Sequence, residues 1–384
     1  MIQEFPHIIE DPQRKTMDLE NRVDAMREGV LKWLDTMLVE DRPFGVHRAS
    51  EYHDISEFPS MLLPATYNAT HCRKLLGDYE DLSGNSLEEL VEFMNGFQQE
   101  AGNYRMPQMR KEDIYYPTWE YIDLHTTNYA MGAVLSIGGR MKYPLRFVEE
   151  YCSIDALRQW LARRNMSDPW NEGNKIVNVA SFYFVLAEQG DRRMGPLIEH
   201  LVAWHEETQD PQSGYWLERD AQPPVHPMVA MAGASHNFHI YYHLNRRINY
   251  VDRIVDHCLS FVGDGATTAC VDIDVVDVLA SMYKYGYRAG DIEAGLEKKL
   301  IDLLEFQNSD GGFADVREGD RRFDGWNSYV EPQGLSNCFA TWFRSATIGM
   351  ICEILLPNAF TWHFRNTIGM GYFNRAYSPL AQDR

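Results

Sequence analysis

The sequence lacks the signatures that many enzymes carry. It has no P-loop, no Gly-x-Gly-x-x-Gly opening a helix after a strand, and no Gly-x-Ser-x-Gly elbow. Those absences set aside the common nucleotide-binding and serine-hydrolase arrangements. Its six cysteines, Cys72, Cys152, Cys258, Cys270, Cys338 and Cys352, are spread over 384 residues with no Cys-x-x-Cys pair. That spacing is no disulfide framework, and buried thiols are the expected outcome. Positive charge is short: 36 Lys and Arg stand against 56 Asp and Glu, a formal net charge of −20. A protein that grips a phosphate backbone needs a basic patch, so the composition argues against nucleic acid as a partner. Met1–Lys15 is polar, carries Pro6 and Pro12, and has no apolar core of signal-peptide length. No window approaches the roughly 18–20 apolar residues that span a bilayer, so a cytoplasmic protein without a transmembrane segment is expected. Period-two alternation is scarce as well, which leaves little room for strands.

Helical patterning fills the chain instead. Ser86 opens a capping box with Glu89 ahead of Leu90, Val91 and Met94. Ser153 precedes Leu157, Trp160 and Leu161, the pattern of a capped amphipathic helix. Asn174–Gln189 is apolar nearly all round, which requires burial on most sides, and Asp168–Asn174 reads as the loop leading into it. Asp291 suits the cap of a helix carrying Leu296, Leu300, Leu303 and Leu304, and Asn337 opens another through Trp342 and Arg344. Gly311–Gly334 reads as a long polar loop with Asp310, Asp315, Asp320, Asp324 and Glu331 around Trp326 and Tyr329. The turns between helices are short. A single domain over 1–384 is expected, with 1–60 as a helical N-terminal extension.

A weak repeat organises these helices. Gln307-Asn-Ser-Asp-Gly-Gly-Phe313 has a partner in Gln209-Asp-Pro-Gln-Ser-Gly-Tyr215 and a fainter copy in Gln98-Gln-Glu-Ala-Gly-Asn-Tyr104. Each follows a helical stretch, at intervals that suit two helical hairpins. The glycine permits a sharp turn, the glutamine can bond the backbone groups left over at a helix end, and the aromatic can pack over the turn.

Gln307–Phe313 resembles the QxxDGxW repeat of squalene–hopene cyclases, with Phe313 in place of Trp, and Gln209–Trp216 resembles a looser version. Similar turns occur in the beta subunits of protein prenyltransferases. The resemblance covers about residues 85–350 in rhythm, with agreement in the motif at the two later turns. It implies an all-α fold, an (α/α) toroid of helical hairpins. Asp272-Ile-Asp274-Val-Val-Asp277 is similar to the DxDD motif of class II terpene cyclases, whose central Asp protonates an alkene or epoxide. By that match Asp274 would be the proton donor, helped by Asp277 and Asp272. Val275 stands where the family has a further Asp, and Asp277 compensates in part. On a helix, Asp274 and Asp277 share a face, and two close carboxylates in a dry pocket do not both ionise easily. The alternative is that Asp272–Asp277 is the polar start of a helix. The prenyltransferase zinc site does not carry over, because Cys270-Val271-Asp272 has its ligand types reversed.

Other polar and aromatic residues are candidate substrate contacts. Trp119, Glu120, Tyr121, Asp123 and His125 concentrate in one segment, and Asp123 and His125 diverge on a helix. His236, His239 and His243 fall on one helical face, either a polar seam facing the central cavity or, for two of them with a carboxylate, a metal site. No metal or cofactor is assigned. Arg344 is unusual among apolar neighbours, so it should pair with a carboxylate, with one of the Asp272–Asp277 group as a candidate. Trp326, Tyr329 and Trp342 complete the set. The leading reading is a terpenoid-cyclase-like enzyme that protonates an isoprenoid-like small molecule in an aromatic cavity. The alternatives are a carbohydrate-active toroid using two carboxylates from Glu120, Asp123, Glu172 and Asp274 on a saccharide, and a non-catalytic binding scaffold.

Overall fold

The computed structural model describes residues 12–79, 84–114, 116–319, 321–322 and 326–364. Twelve α-helices are described, with a two-stranded antiparallel ribbon of β1 (Arg321–Arg322) and β2 (Val330–Glu331). The odd-numbered helices are α1 (Pro12–Thr36), α3 (Gly84–Asn95), α5 (Ile154–Leu161), α7 (Met194–Thr208), α9 (Val251–Val262) and α11 (Ala289–Phe306). The even-numbered ones are α2 (Leu62–Leu76), α4 (Trp119–Ser136), α6 (Pro169–Glu188), α8 (Pro227–Leu244), α10 (Ala269–Met282) and α12 (Cys338–Leu355).

The even helices form a closed ring. α2 packs on α4, α4 on α6, α6 on α8, α8 on α10, α10 on α12, and α12 returns to α2. The odd helices lie outside: α3 packs on α4, α7 on α6, α9 on α10 and α11 on α12. α1 joins this outer layer against α2, α11 and α12. The fold is therefore an all-α (α/α) toroid. The sequence dictates the two layers. α9 is buried along one stripe, Ile254, Val255, Cys258 and Val262, as an outer helix must be, whereas every residue of α10 from Val271 to Met282 is buried. α12 alone among the described helices is long and apolar enough to cross a bilayer, contrary to the expectation that no window comes close. Its apolarity serves the ring wall, with 83% of it buried.

The repeated turns each join an outer helix to the next inner one. Gln98, Gln209 and Gln307 follow α3, α7 and α11, and each donates from Nε2 to a carbonyl of its own turn: Gly102 at 2.9 Å, Gly214 at 2.8 Å, Gly311 at 2.7 Å. The same nitrogen reaches a carbonyl of the neighbouring segment, Tyr143 at 2.9 Å, Asn249 at 3.5 Å and Met26 at 3.1 Å. Tyr104, Tyr215 and Phe313 are buried beneath the turns. The faint first copy thus makes the same contacts as the other two. Gly311 has φ of +97°, and a Cβ there would lie 2.3 Å from the Gly29 carbonyl of α1. Gly311→Ala is expected to destabilise the fold by more than the ~1–2 kcal/mol of left-handed backbone alone, read as a lower urea midpoint. An unchanged midpoint would show that α1 yields at this contact.

Several helix starts differ from expectation. α6 begins at Pro169, whose missing N–H suits the first turn, so Asn171, Glu172 and Asn174 are buried helical residues and not a loop. α11 begins at Ala289, placing Asp291 in its first turn rather than at its cap, and Ser86 lies inside α3. Ser153 and Asn337 do cap their helices, accepting from the N–H groups of Ala156 and Ala340. Asp320 and Asp324 lie outside the described residues.

Candidate active site

Contacts between helices that are not ring neighbours define the lumen. Tyr129 of α4 meets the Trp342 ring of α12 edge-on at 5.8 Å, although α2 stands between those helices. His125 of α4 lies in the electrostatic field of His236 of α8, although α6 stands between them. Both contacts cross the interior of the ring.

One half of the lumen wall is aromatic. His71 stacks on Trp342 at 4.7 Å and 20°, and its Nε2 meets the Tyr129 carbonyl at 3.2 Å. Tyr67 and His125 pack on the Tyr129 ring at 5.2 and 4.4 Å. Tyr121 stacks on His125 at 5.4 Å, and Tyr116 lies 5.4 Å from Tyr121. These rings run continuously from the N-terminal end of α4 to its middle.

The opposite half is polar, made by α6, α8 and α10. Asn178 accepts from Asn128 at 2.6 Å and donates to Asn174 at 3.0 Å. His239 Nε2 lies 3.2 Å from Asp277 Oδ2, with both side chains almost fully buried. Ser235 donates to Asp274 at 3.0 Å. Burying such groups away from water is costly unless they are paired, so their concentration here is the main chemical anomaly of the fold. The close approach of α6 and α8 that brings them together rests on Gly173 and Gly233. A Cβ on either would lie 2.2 Å from a backbone carbonyl of the other helix.

The three aspartates of α10 have three different surroundings. Asp272 is enclosed by cations and donors: Arg344 Nη1 at 2.8 Å, Lys299 Nζ at 2.9 Å, and the hydroxyl and N–H of Thr267, each at 2.9 Å. Arg344 also donates to the carbonyls of Ala314, Thr267 and Asp315. The pair expected for Arg344 is therefore Asp272, and it ties α10, α11 and α12 together. Asp274 faces Ser235 in the wall between α8 and α10, and its charge reaches Cys258 on the outer helix α9. Asp277 faces His239.

Several expected contacts lie outside the lumen. Trp119 is 39% exposed and covered by the Arg105 guanidinium at 4.0 Å, because it sits on the first turn of α4 facing outward. Asp123 is clamped by Arg105 at 2.6 Å and Asn103 at 2.9 Å. Glu120 sits at the rim, accepting from Trp160 Nε1 at 2.7 Å beside Arg164 and Lys175. Glu172 is buried against those same two cations, at 3.0 and 2.7 Å. Trp326 and Tyr329 are buried in the 311–337 segment, not on an exposed loop. Tyr329 hydrogen-bonds Ser50 and packs on Phe58 and His53. The three histidines of α8 divide: His239 meets Asp277, His243 packs on Phe184 at 4.1 Å, and His236 keeps part of its surface accessible. Among the described residues no group of three His, Cys, Asp or Glu is arranged to hold a metal. The lumen residues that sequence reasoning missed are Tyr67, His71, Tyr129 and Asn178. Their available signal was the spacing of four, Tyr67 to His71 and Tyr121 to His125 to Tyr129, within helices otherwise buried all round.

Burial holds several imidazoles neutral. It pushes His236 down to about 3, with His239 and His125 adding to the effect. His47, beside Arg73, falls to about 3 and His205 to about 4, burial leading in both. The unfolded chain protonates histidine near the ordinary value of about 6.5. It therefore binds more protons than the folded chain from there down to about 4, and stability falls as pH drops through that window. Glu331 acts in the opposite sense. Burial raises it to about 8, so its contribution is present at low pH and lost as pH rises through 8. Melting temperature is thus expected to peak near neutrality and to fall more steeply on the acid side; a flat profile from pH 4.5 to 6.5 would contradict it.

No known family model and no curated protein matches this sequence. Among solved structures, the chain is similar to two variants of the type II terpene cyclase MstE from Scytonema. The one in complex with geranylgeranyl dihydroxybenzoate as substrate has a TM-score of 0.48, and the apo form 0.46. Each is 12% identical, over 91% of this chain and 100% of the other.

Proposed function

We propose that this toroid is an acid-initiated cyclase acting on an isoprenoid-like, apolar polyene. The observation that carries the reading is the Asp277–His239 pair, buried in the polar half of the lumen opposite the aromatic half. Asp277 and Asp274 lie three apart on one face of α10, and both are almost fully buried. Asp277, beside His239, is the donor, and Asp274 is its neighbour on that face. Asp272 is structural.

In the first step the π pair of a terminal alkene takes the proton from the Asp277 carboxyl. A C–H bond forms, the O–H bond breaks, and a carbocation and a carboxylate remain. The next alkene supplies its π pair to close a C–C bond. The rings of Tyr121 and Tyr129, which keep a little accessible surface, stand to meet the migrating charge, each contributing about 0.5–2 kcal/mol. The reaction needs no redox partner, since its product is an isomer. A saccharide reading needs two of Glu120, Asp123, Glu172 and Asp274, and it fares worse because the first three are each engaged by Arg or Lys. The test is incubation of the purified protein with farnesyl diphosphate, geranylgeranyl diphosphate and squalene, with products resolved by gas chromatography and mass detection. A cyclised isomer supports the reading; unchanged substrates with folded protein overturn it.

A further inference from the structure

Cyclisation begun by a proton must also end by losing one, and the mechanism above leaves a lumenal imidazole unused. His236 stands at the middle of α8, where its neighbours from Ala230 to Tyr242 are all buried, yet it keeps part of its surface accessible. Phe238 and Tyr241 of the same helix pack outward on Trp216, which bonds the outer helix α7, and His236 lies on the opposite face, so the accessible part of its ring opens toward the interior of the ring of helices. Among the described residues its buried Nδ1 has no hydrogen-bond partner, whereas His71 and His53 each hold a backbone carbonyl through Nε2. A histidine kept for structure would be anchored in that way. One turn along the same face lies His239 with Asp277.

We infer that His236 is the base that ends the cyclisation, taking the proton from the carbon next to the final cation. In this step the C–H pair becomes the new C=C bond, and the proton bonds to a lone pair of the imidazole, giving imidazolium. As product leaves, His236 releases that proton to solvent and Asp277 takes one back from solvent, so neither oxidant nor reductant enters. The pressure that burial exerts toward the neutral ring keeps that lone pair available between turnovers. This inference rests on the cyclase reading and assigns the step that reading leaves open.

The test is the product distribution of His236→Phe, which keeps an aromatic ring, and of His236→Gln, which keeps a polar group. With the base gone, the final cation is quenched by water or loses a different proton. The ratio of alternative alkenes and alcohols to the parent alkene should rise on the order of tenfold or more in both variants. A merely structural histidine would alter rate or stability and leave the ratio alone. Unchanged ratios in a folded variant overturn the assignment of His236 while leaving the cyclase reading intact. Absence of any cyclised product from the unaltered protein overturns both. Should one variant fail to fold, the product ratio of the other decides.

Discussion

Arg344→Met is expected to destabilise the protein by about 3–5 kcal/mol, the cost of removing one partner from a fully buried ion pair. Arg344 is 0% exposed in its side chain and Asp272 1%. The guanidinium also donates to three backbone carbonyls, of Ala314, Thr267 and Asp315. Removing it strands those acceptors and leaves Asp272 to Lys299 and Thr267 alone. Lysine should not substitute, because a single ammonium cannot fork to Asp272 and to carbonyls on two segments. Chemical denaturation reads the effect. Asp272→Asn combined with Arg344→Met should recover part of the loss, since it removes the uncompensated charge. A shift below about 1 kcal/mol for Arg344→Met would mean that the pair contributes no more than a surface ion pair does.

Asp277→Asn is expected to lower turnover by about 10²–10⁴, the range associated with a positioned general acid. The amide is isosteric and can keep its place beside His239, so melting temperature should move little. The three aspartates of α10 then separate by phenotype. Asp272→Asn should act chiefly on stability, through Arg344 and Lys299. Asp274→Asn retains a bond to Ser235 and should reduce turnover less than Asp277→Asn. If instead Asp274→Asn is the more damaging change, the donor is the central aspartate of the motif and Asp277 is its support.

The architecture was legible because the determinants of a toroid are local. A helix apolar nearly all round over most of its length, such as α6, can only be an inner one, and the glutamine turns can be found by their spacing. Even the faint copy at Gln98 keeps its amide contacts, since the turn depends on one side chain and one glycine rather than on the whole motif. Helix starts were less legible. Pro169 is compatible both with a loop and with a first turn, and burial of Asn171 and Glu172 decides between them only in three dimensions. The site was read in part. The aspartates and the histidine face were visible as clusters, but which of them meet is a property of ring closure. Arg344 and Asp272 are far apart in sequence, as are His125 and His236, and nothing in either segment announces the other. Trp119 was misread for a related reason: an aromatic beside polar residues at a helix start fits a rim as well as a lumen, and its partner Arg105 lies on the preceding segment. Tyr67 and His71 went unread because single polar residues in an apolar helix are ordinarily core groups.

The most direct test of proton-initiated cyclisation is turnover in D₂O with mass analysis of the product. Carboxyl protons exchange with solvent, so an Asp277 donor delivers deuterium to the first alkene carbon, while the proton lost at the end comes from the substrate. The account predicts a cyclised product one mass unit heavier than that formed in H₂O, with the label on the carbon protonated first, and little or no product from Asp277→Asn. A cyclised product without solvent label would contradict it, since the cation would then arise by some route other than protonation.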